Sequence, residues 1–288
     1  MSDSSTRVRA GTADWVSAVL DGGVRAFDLG RPLFRGMPQS PNHPPYWHTL
    51  PRRHGDGVRA DGGSAANDHI SLGTHVGTHI DALSHVSHDG RLFGGLDAAD
   101  VQRGGAMRAL GAETIEPMFR RGVLLDVPAA LGLSGCAPGY EITPADLDRT
   151  LDRQGVTLGA GHVALVRSGW GTRFGSSDPA EYIGHASGVP GVGEPGACWL
   201  ADRGVHAVGA DTIAFECLPP AQGHSLLPAH RVLLVERGVL IVEALDLEEL
   251  AAATVHEFLF VLSPLKLVGA TGSPVRPLAV VPAAGAAA

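Results

Sequence analysis

Apolar residues along this chain fall into short runs separated by glycine and proline, and the runs carry two different spacings. Val123-Leu-Leu-Asp-Val127 and Val163-Ala-Leu-Val166-Arg167 are short and almost wholly apolar, which predicts strands covered on both faces. Val205–Val208 and Val239–Val242 read the same way, and Glu257–Val268 and Pro277–Val281 are strand-like. Helical spacing appears between them. Thr143 offers a side-chain N-cap, Pro144 suits the first helical position, Leu147 and Leu151 share a face, and Gly155 ends the helix. Further helices are predicted through Ala197–Leu200, ending at Gly204, and near Leu226–Glu236. A short one, Thr12–Leu20, is capped by Thr12 and stopped by Gly22-Gly23. The prolines of Met37–Trp47 forbid a helix or central strand there, while Arg52–Ala66 and Gly184–Gly196 read as loops.

Strands alternate with helices, yet several strands near the C-terminus follow one another directly. This predicts an α/β chain of the mixed α+β kind, with a central mixed sheet and helices packed on it. No repeat or linker divides it, so the expected organisation is an N-terminal extension (1–26), one domain (27–281) and a frayed tail (282–288).

Composition narrows the function without naming it. The 288 residues are 44% hydrophobic and 18% charged, which suits a soluble globular chain with a substantial core. Acidic residues outnumber basic ones, 30 to 22, and no basic stripe interleaves with aromatics, so nucleic acid is not an expected partner. No signal peptide is visible and no stretch reaches the ~18 apolar residues of a membrane span. Cys136, Cys198 and Cys217 lie far apart and outside any C-x-x-C spacing. They read as reduced thiols in a cytoplasmic protein.

The chemistry concentrates in His75-Val-Gly77-Thr-His79-Ile-Asp81-Ala-Leu83-Ser-His85. Imidazoles and a carboxylate bind divalent metals and move protons. On a helix His75 and His79 would share a face, but Asp81 would turn away, and Gly77 among β-branched residues disfavours a helix. On a strand, positions 75, 77, 79 and 81 share a face but span ~13 Å. Two imidazoles cannot then meet one ion at ~2.1 Å each. A strand end kinked at Gly77, with His75, His79 and Asp81 converging, resolves this. A single histidine is most often a solvated or hydrogen-bonded residue, and His69 and His88 keep that reading. Five histidines crowded into residues 69–88 do not fit it together.

The run resembles the signature of the cyclase family of metal-dependent hydrolases, H-x-G-T-H-x-D-x-P-x-H, a family that includes bacterial kynurenine formamidase, isatin hydrolase and trans-dienolactone hydrolase. Every fixed position matches except Leu83, which stands where the signature has proline. The resemblance runs on through Phe27-Asp28-Leu29 with Gly36-Met37-Pro38, Val166–Trp170, Gly209–Thr212, Pro228–Arg231, Ile241–Glu243 and Gly272–Pro277. It implies a central mixed sheet or barrel-like swivelling β/β/α fold with helices outside. It further implies metal ligands at His75, His79 and Asp81, and proton transfer by His85. His230 and Glu243 match the residues that complete a second metal site in two-metal members; here they take that role or a hydrogen-bonding one. His224 is the rival to His230, but it lacks the helix-like Arg231–Leu234 that follows. Mn2+ or Zn2+, one or two ions per chain, and a homodimer or larger homo-oligomer are implied as well. Tyr46 and Trp47, after the proline-rich loop, are candidates to line a substrate pocket.

The expected activity is hydrolysis of a small amide, imide or cyclic amide at a C–N bond by water activated on a divalent ion. Alternatives are a lactone hydrolase, a biosynthetic cyclase or lyase, and a non-catalytic metal-binding protein. Kynurenine formamidase activity itself is not the first choice, because this chain is longer than those enzymes and carries an insertion at Gly171–Gly196.

Overall fold

The computed structural model describes residues 23–283, so the helix expected at Thr12–Leu20 and the end of the expected tail lie outside the described residues. Nine strands form one sheet. In chain order they are β1 (Val24–Asp28), β2 (His79–Asp81), β3 (Met118–Asp126), β4 (Val163–Arg167), β5 (Ala207–Ala210), β6 (Leu240–Glu243), β7 (Glu257–Leu262), β8 (Gly272–Pro274) and β9 (Leu278–Pro282). Their spatial order is β1-β9-β7-β3-β4-β5-β6-β2-β8. The centre, β3-β4-β5-β6, is parallel, and all flanking pairs are antiparallel. The sheet is mixed, as the sequence pattern predicts.

Alternation along the central strands sorts two cores. Val123, Leu125, Ala164, Val166, Val208 and Ile241 face one side, where they meet Leu147, Leu200 and Leu233 from the helices. Leu124, Val163, Leu165, Ala207 and Val242 face the other side. That second core also contains Phe27 of β1 and Ile80 of β2, which lie toward opposite ends of the strand order. Sharing one core brings those ends round, so the sheet curls into a half-barrel with the helices outside.

Helix α1 (Pro144–Gln154) follows the sequence signals closely. Thr143 accepts from the Asp146 amide, Asp146 caps in return, and Gly155 closes the helix in the left-handed region at φ 64°. Helix α2 (Glu194–Asp202) begins inside the segment expected to be a loop, because Pro195 sits in its first turn, where a missing N–H costs nothing. The strand expected to run to Val268 stops at Leu262, just before Pro264. A two-stranded ribbon, Trp47–Arg52 paired with Asn67–Ser71, brackets the expected loop and was not evident from the sequence. Pro282, expected in the tail, pairs with Val24, so β1 and β9 reach past both ends of the expected domain. Among the described residues no helix is long and apolar enough to cross a membrane.

Candidate metal centre

The histidine run does not form the kinked strand drawn from its pattern. Only His79–Asp81 is strand, and His75 sits in the turn before it. Gly77 makes that turn with φ 68°, in the left-handed region, and a Cβ there would collide with the Leu33 side chain. Gly77→Ala is therefore expected to destabilise the chain by about 1–2 kcal/mol, mainly from left-handed strain, with the Leu33 side chain moving aside. A urea unfolding midpoint equal to wild type would refute this.

Strand β2 lies between β6 and β8, so its two outward residues meet partners from both. Glu243 stands opposite His79, and Gly272 opposite Asp81. His75 reaches the same point from the turn, its Nδ1 2.7 Å from Asp81 Oδ1 and its Nε2 2.9 Å from the Thr271 hydroxyl. His230 arrives from the outer layer, at the end of the short helix Pro228–His230 that continues as a π-helix, Arg231–Arg237. Wide turns of this kind recur beside functional residues.

The result is a compact, buried cluster. His79 Nε2 lies 3.3 Å from Glu243 Oε2 and 3.5 Å from Asp81 Oδ1. His230 Nε2 lies 3.2 Å from Glu243 Oε1 and 3.4 Å from Asp81 Oδ2. The other nitrogen of each ring is tied back. His79 Nδ1 donates to the Gly77 carbonyl at 2.8 Å, and His230 Nδ1 donates to Glu216 at 2.7 Å. Both Nε2 atoms consequently face the cluster. His85 lies alongside, its ring stacked on His75 with centroids 3.8 Å apart.

Electrostatics follow from this packing. Burial penalises the charge on Asp81, but His85, His230 and His75 outweigh it and hold Asp81 well below the usual carboxylate range. Glu243 falls to about 2 despite burial and the Asp81 charge, because His230 and His79 donate to it. Burial also opposes a proton on His79, yet Glu243 and Asp81 lift it to about 8. Burial opposes the proton on His230 too, and Glu216 chiefly raises it well above the ordinary imidazole value. His85 goes the other way. Burial pushes it down to about 4 against the pull of Asp81, so it is a neutral imidazole at pH 7.

These residues fit a divalent cation on a feature of their own. Asp81 Oδ2 is buried without any hydrogen-bond partner, an expensive state for a carboxylate oxygen. Two groups bring ligand atoms within 4.8 Å of one another: His75, His79 and Asp81, and Asp81, His85 and His230. Asp81 belongs to both.

Sequence reasoning missed three neighbours. Glu216 is 1% exposed; beyond the His230 bond, its other oxygen accepts from the amides of Ala229 at 2.7 Å and His230 at 3.2 Å. The available signal was an acid inside the apolar run Ile213–Leu218, which requires a buried partner. His43, from the proline-rich loop, stacks on the other side of His75 with centroids 5.2 Å apart. Thr271 holds the His75 Nε2. Carboxylates that steady a ligating imidazole tune affinity, so Glu216→Gln is expected to weaken metal binding about 10–100-fold. Competition against a chromophoric chelator measures this, and unchanged affinity would leave Glu216 only its helix contacts.

Tyr46 and Trp47 are placed differently. Tyr46 packs against the cluster of Met37, Val76 and Trp170. Trp47 is 47% exposed beneath the Arg35 guanidinium, 3.9 Å from its ring centroid. Both line a shallow surface with Arg35, Gly36 and Pro45. His224 also stays outside the hydrogen-bonded cluster. Leu83, at the variant position of the run, packs against both hydrophobic cores.

A half-barrel carrying this cluster defines a class. A family model described as "Putative cyclase" matches residues 27–217, and the chain belongs to this Cyclase family. It is 29% identical to cyclase-like protein 3 of Oryza sativa subsp. japonica over 75% of the chain and 66% of that protein, just under two thirds of its length. It is 28% identical to kynurenine formamidase of Geobacillus thermodenitrificans, over 76% of the chain and 81% of that enzyme. It is 27% identical to isatin hydrolase of Roseibium aggregatum, over 78% of each. Among solved structures, a novel cyclase superposes with a TM-score of 0.81 at 30% identity, covering 92% of this chain and 91% of that one.

Proposed function

We propose that this chain is a metal-dependent amidohydrolase that opens a C–N bond in a small amide, imide or cyclic amide by adding water. The observation that carries the reading is the convergence of His79 Nε2, His230 Nε2 and the unpartnered Asp81 Oδ2 in one buried cluster with a neutral His85 beside it. Kinship with a kynurenine formamidase and an isatin hydrolase supports the bond class.

His75, His79 and Asp81 would hold Mn2+ or Zn2+. His230, beside Asp81 Oδ2, and Glu243, between the His79 and His230 rings, extend the donor set. A divalent ion supplies polarisation of a carbonyl and a water acidic enough to ionise near neutral pH. The protein's own part is positional. The Gly77 carbonyl and Glu216 fix the tautomers and directions of His79 and His230. His85, kept unprotonated by burial, takes the proton of the attacking water and returns it to the leaving nitrogen as the C–N bond breaks.

The experiment is a panel of amides, cyclic imides and lactones incubated with protein reloaded with Mn2+ or Zn2+, read by mass spectrometry. Hydrolysis appears as a product heavier than its substrate by one water. A product isomeric with its substrate, or full activity in metal-stripped protein, would overturn the proposal.

A further inference from the structure

His75 is held differently from the other imidazoles of the cluster. His79 and His230 each commit Nδ1 to an oxygen outside it, the Gly77 carbonyl and the Glu216 carboxylate, and turn Nε2 inward. In His75 the two nitrogens exchange places. Its Nδ1 lies 2.7 Å from Asp81 Oδ1, an oxygen that His79 Nε2 also approaches, at 3.5 Å. Its Nε2 lies 2.9 Å from the Thr271 hydroxyl. Turning the ring over would set carbon atoms against both oxygens, so the two bonds together decide which edge faces the cluster.

The chain around β8 builds a seat for this ring. Thr271 immediately precedes the strand, and its carbonyl accepts from the Ala82 amide at 2.9 Å, which ties it to the end of β2 beside Asp81. Gly272 supplies the room. Its backbone is not left-handed, but a Cβ there would stand 2.6 Å from His75 Cε1, so the ring lies against bare strand. His85 and His43 stack on the ring, with centroids 3.8 Å and 5.2 Å away. The imidazole is thus held at its edges and its faces.

A ligating nitrogen must present a lone pair, and the other nitrogen of the ring then carries a proton that needs an acceptor. For His75 the group in place to accept it is the Thr271 hydroxyl. A hydroxyl also serves the ring without a cation. It donates to Nε2 when Nδ1 keeps its proton for Asp81, and accepts from Nε2 when Nδ1 offers its lone pair. We propose that Thr271 is a positioning residue of the metal centre, whose hydroxyl holds His75 Nε2 and makes Nδ1 the nitrogen that meets the cation, the reverse of His79 and His230. The proposal rests on the metal-dependent reading of the site, and its test reads the ring and the ion rather than turnover.

Protein labelled with 15N at histidine and loaded with Zn2+ is read by long-range proton–nitrogen NMR, the His75 signals being those absent in His75→Gln. His75 is expected to show a protonated Nε2 and a metal-bound Nδ1, and His79 and His230 the opposite pattern. Zn2+ affinity is measured by chelator competition in two variants. Thr271→Val keeps the branched shape and the backbone bond to Ala82 but removes the hydroxyl, whereas Thr271→Ser keeps the hydroxyl. Thr271→Val is expected to bind Zn2+ about 10–100-fold more weakly, and Thr271→Ser to stay within about threefold of wild type. Metal bound through Nε2 of His75, unchanged affinity in Thr271→Val, or an equal loss in Thr271→Ser would contradict the proposal. The wild-type ring pattern decides the matter even if Thr271→Val does not fold. Zn2+ held through Nδ1 in a protein that hydrolyses no amide would support the role of Thr271 and count against the amidohydrolase reading alone.

Discussion

Replacing His79 with alanine is expected to yield a folded chain that no longer retains Mn2+ or Zn2+ after gel filtration and whose turnover falls by about 10³-fold or more. His79 sits on β2 with one nitrogen committed to the Gly77 carbonyl, so its other nitrogen cannot turn away from the cluster. Its removal leaves Glu243 and Asp81 facing each other with one imidazole fewer between them. An ion in such a site contributes several kcal/mol of transition-state stabilisation, and each 1.36 kcal/mol is tenfold in rate. Elemental analysis of purified protein gives the metal content, and circular dichroism verifies the fold. A folded variant with wild-type metal content and activity would remove His79 from the ligand set.

His85→Ala should separate metal binding from turnover. The imidazole stacks on His75 and lies near Asp81, and burial holds its pKa down to about 4, so it stands unprotonated at neutral pH and readily gives up a proton that it takes. Retained metal with activity reduced by about 10²-fold or more is the expected outcome, the range that a positioned proton carrier supplies. Metal loss in this variant would instead make His85 a ligand, as its proximity to His230 and Asp81 also permits. Near-normal turnover would exclude it from proton transfer.

Much of this arrangement was legible in the chain, and the reasons differ from residue to residue. Thr143, Pro144 and Gly155 act locally, so the helix they delimit could be read directly. The apolar strands β3 and β4 could be read because both their faces are covered, although nothing local told which strands would be neighbours. The crowding of His75, His79, Asp81 and His85 was visible, and the structure brings these residues together. Their backbone was not visible. Gly77 turns the chain before the strand begins, rather than bending a strand through it.

Residues that act across long sequence separations left weaker marks. Glu243 meets His79 only through the β2–β6 register, and Glu216 meets His230 through the start of a short helix. His43 lies in the proline-rich stretch and nothing in its local pattern marks it, yet its ring covers His75. The exposed ribbon Trp47–Arg52 and Asn67–Ser71 buries too little apolar surface to imprint a pattern of alternation. Leu83 shows the reverse case. It departs from the family signature, and its side chain packs against both cores.

The position of β2 sets an order on the making of the protein. Both of its hydrogen-bonding neighbours, Leu240–Glu243 and Gly272–Pro274, come from much later in the chain. During synthesis the histidine-bearing segment emerges before them and waits, its strand edges unsatisfied, until residues 240–274 have left the ribosome. Contacts of such long sequence separation form late and slow the search for the native state. The nascent chain therefore carries loose imidazoles before it has a pocket to arrange them, and a ribosome stalled before Gly272 holds a strand with one side still open.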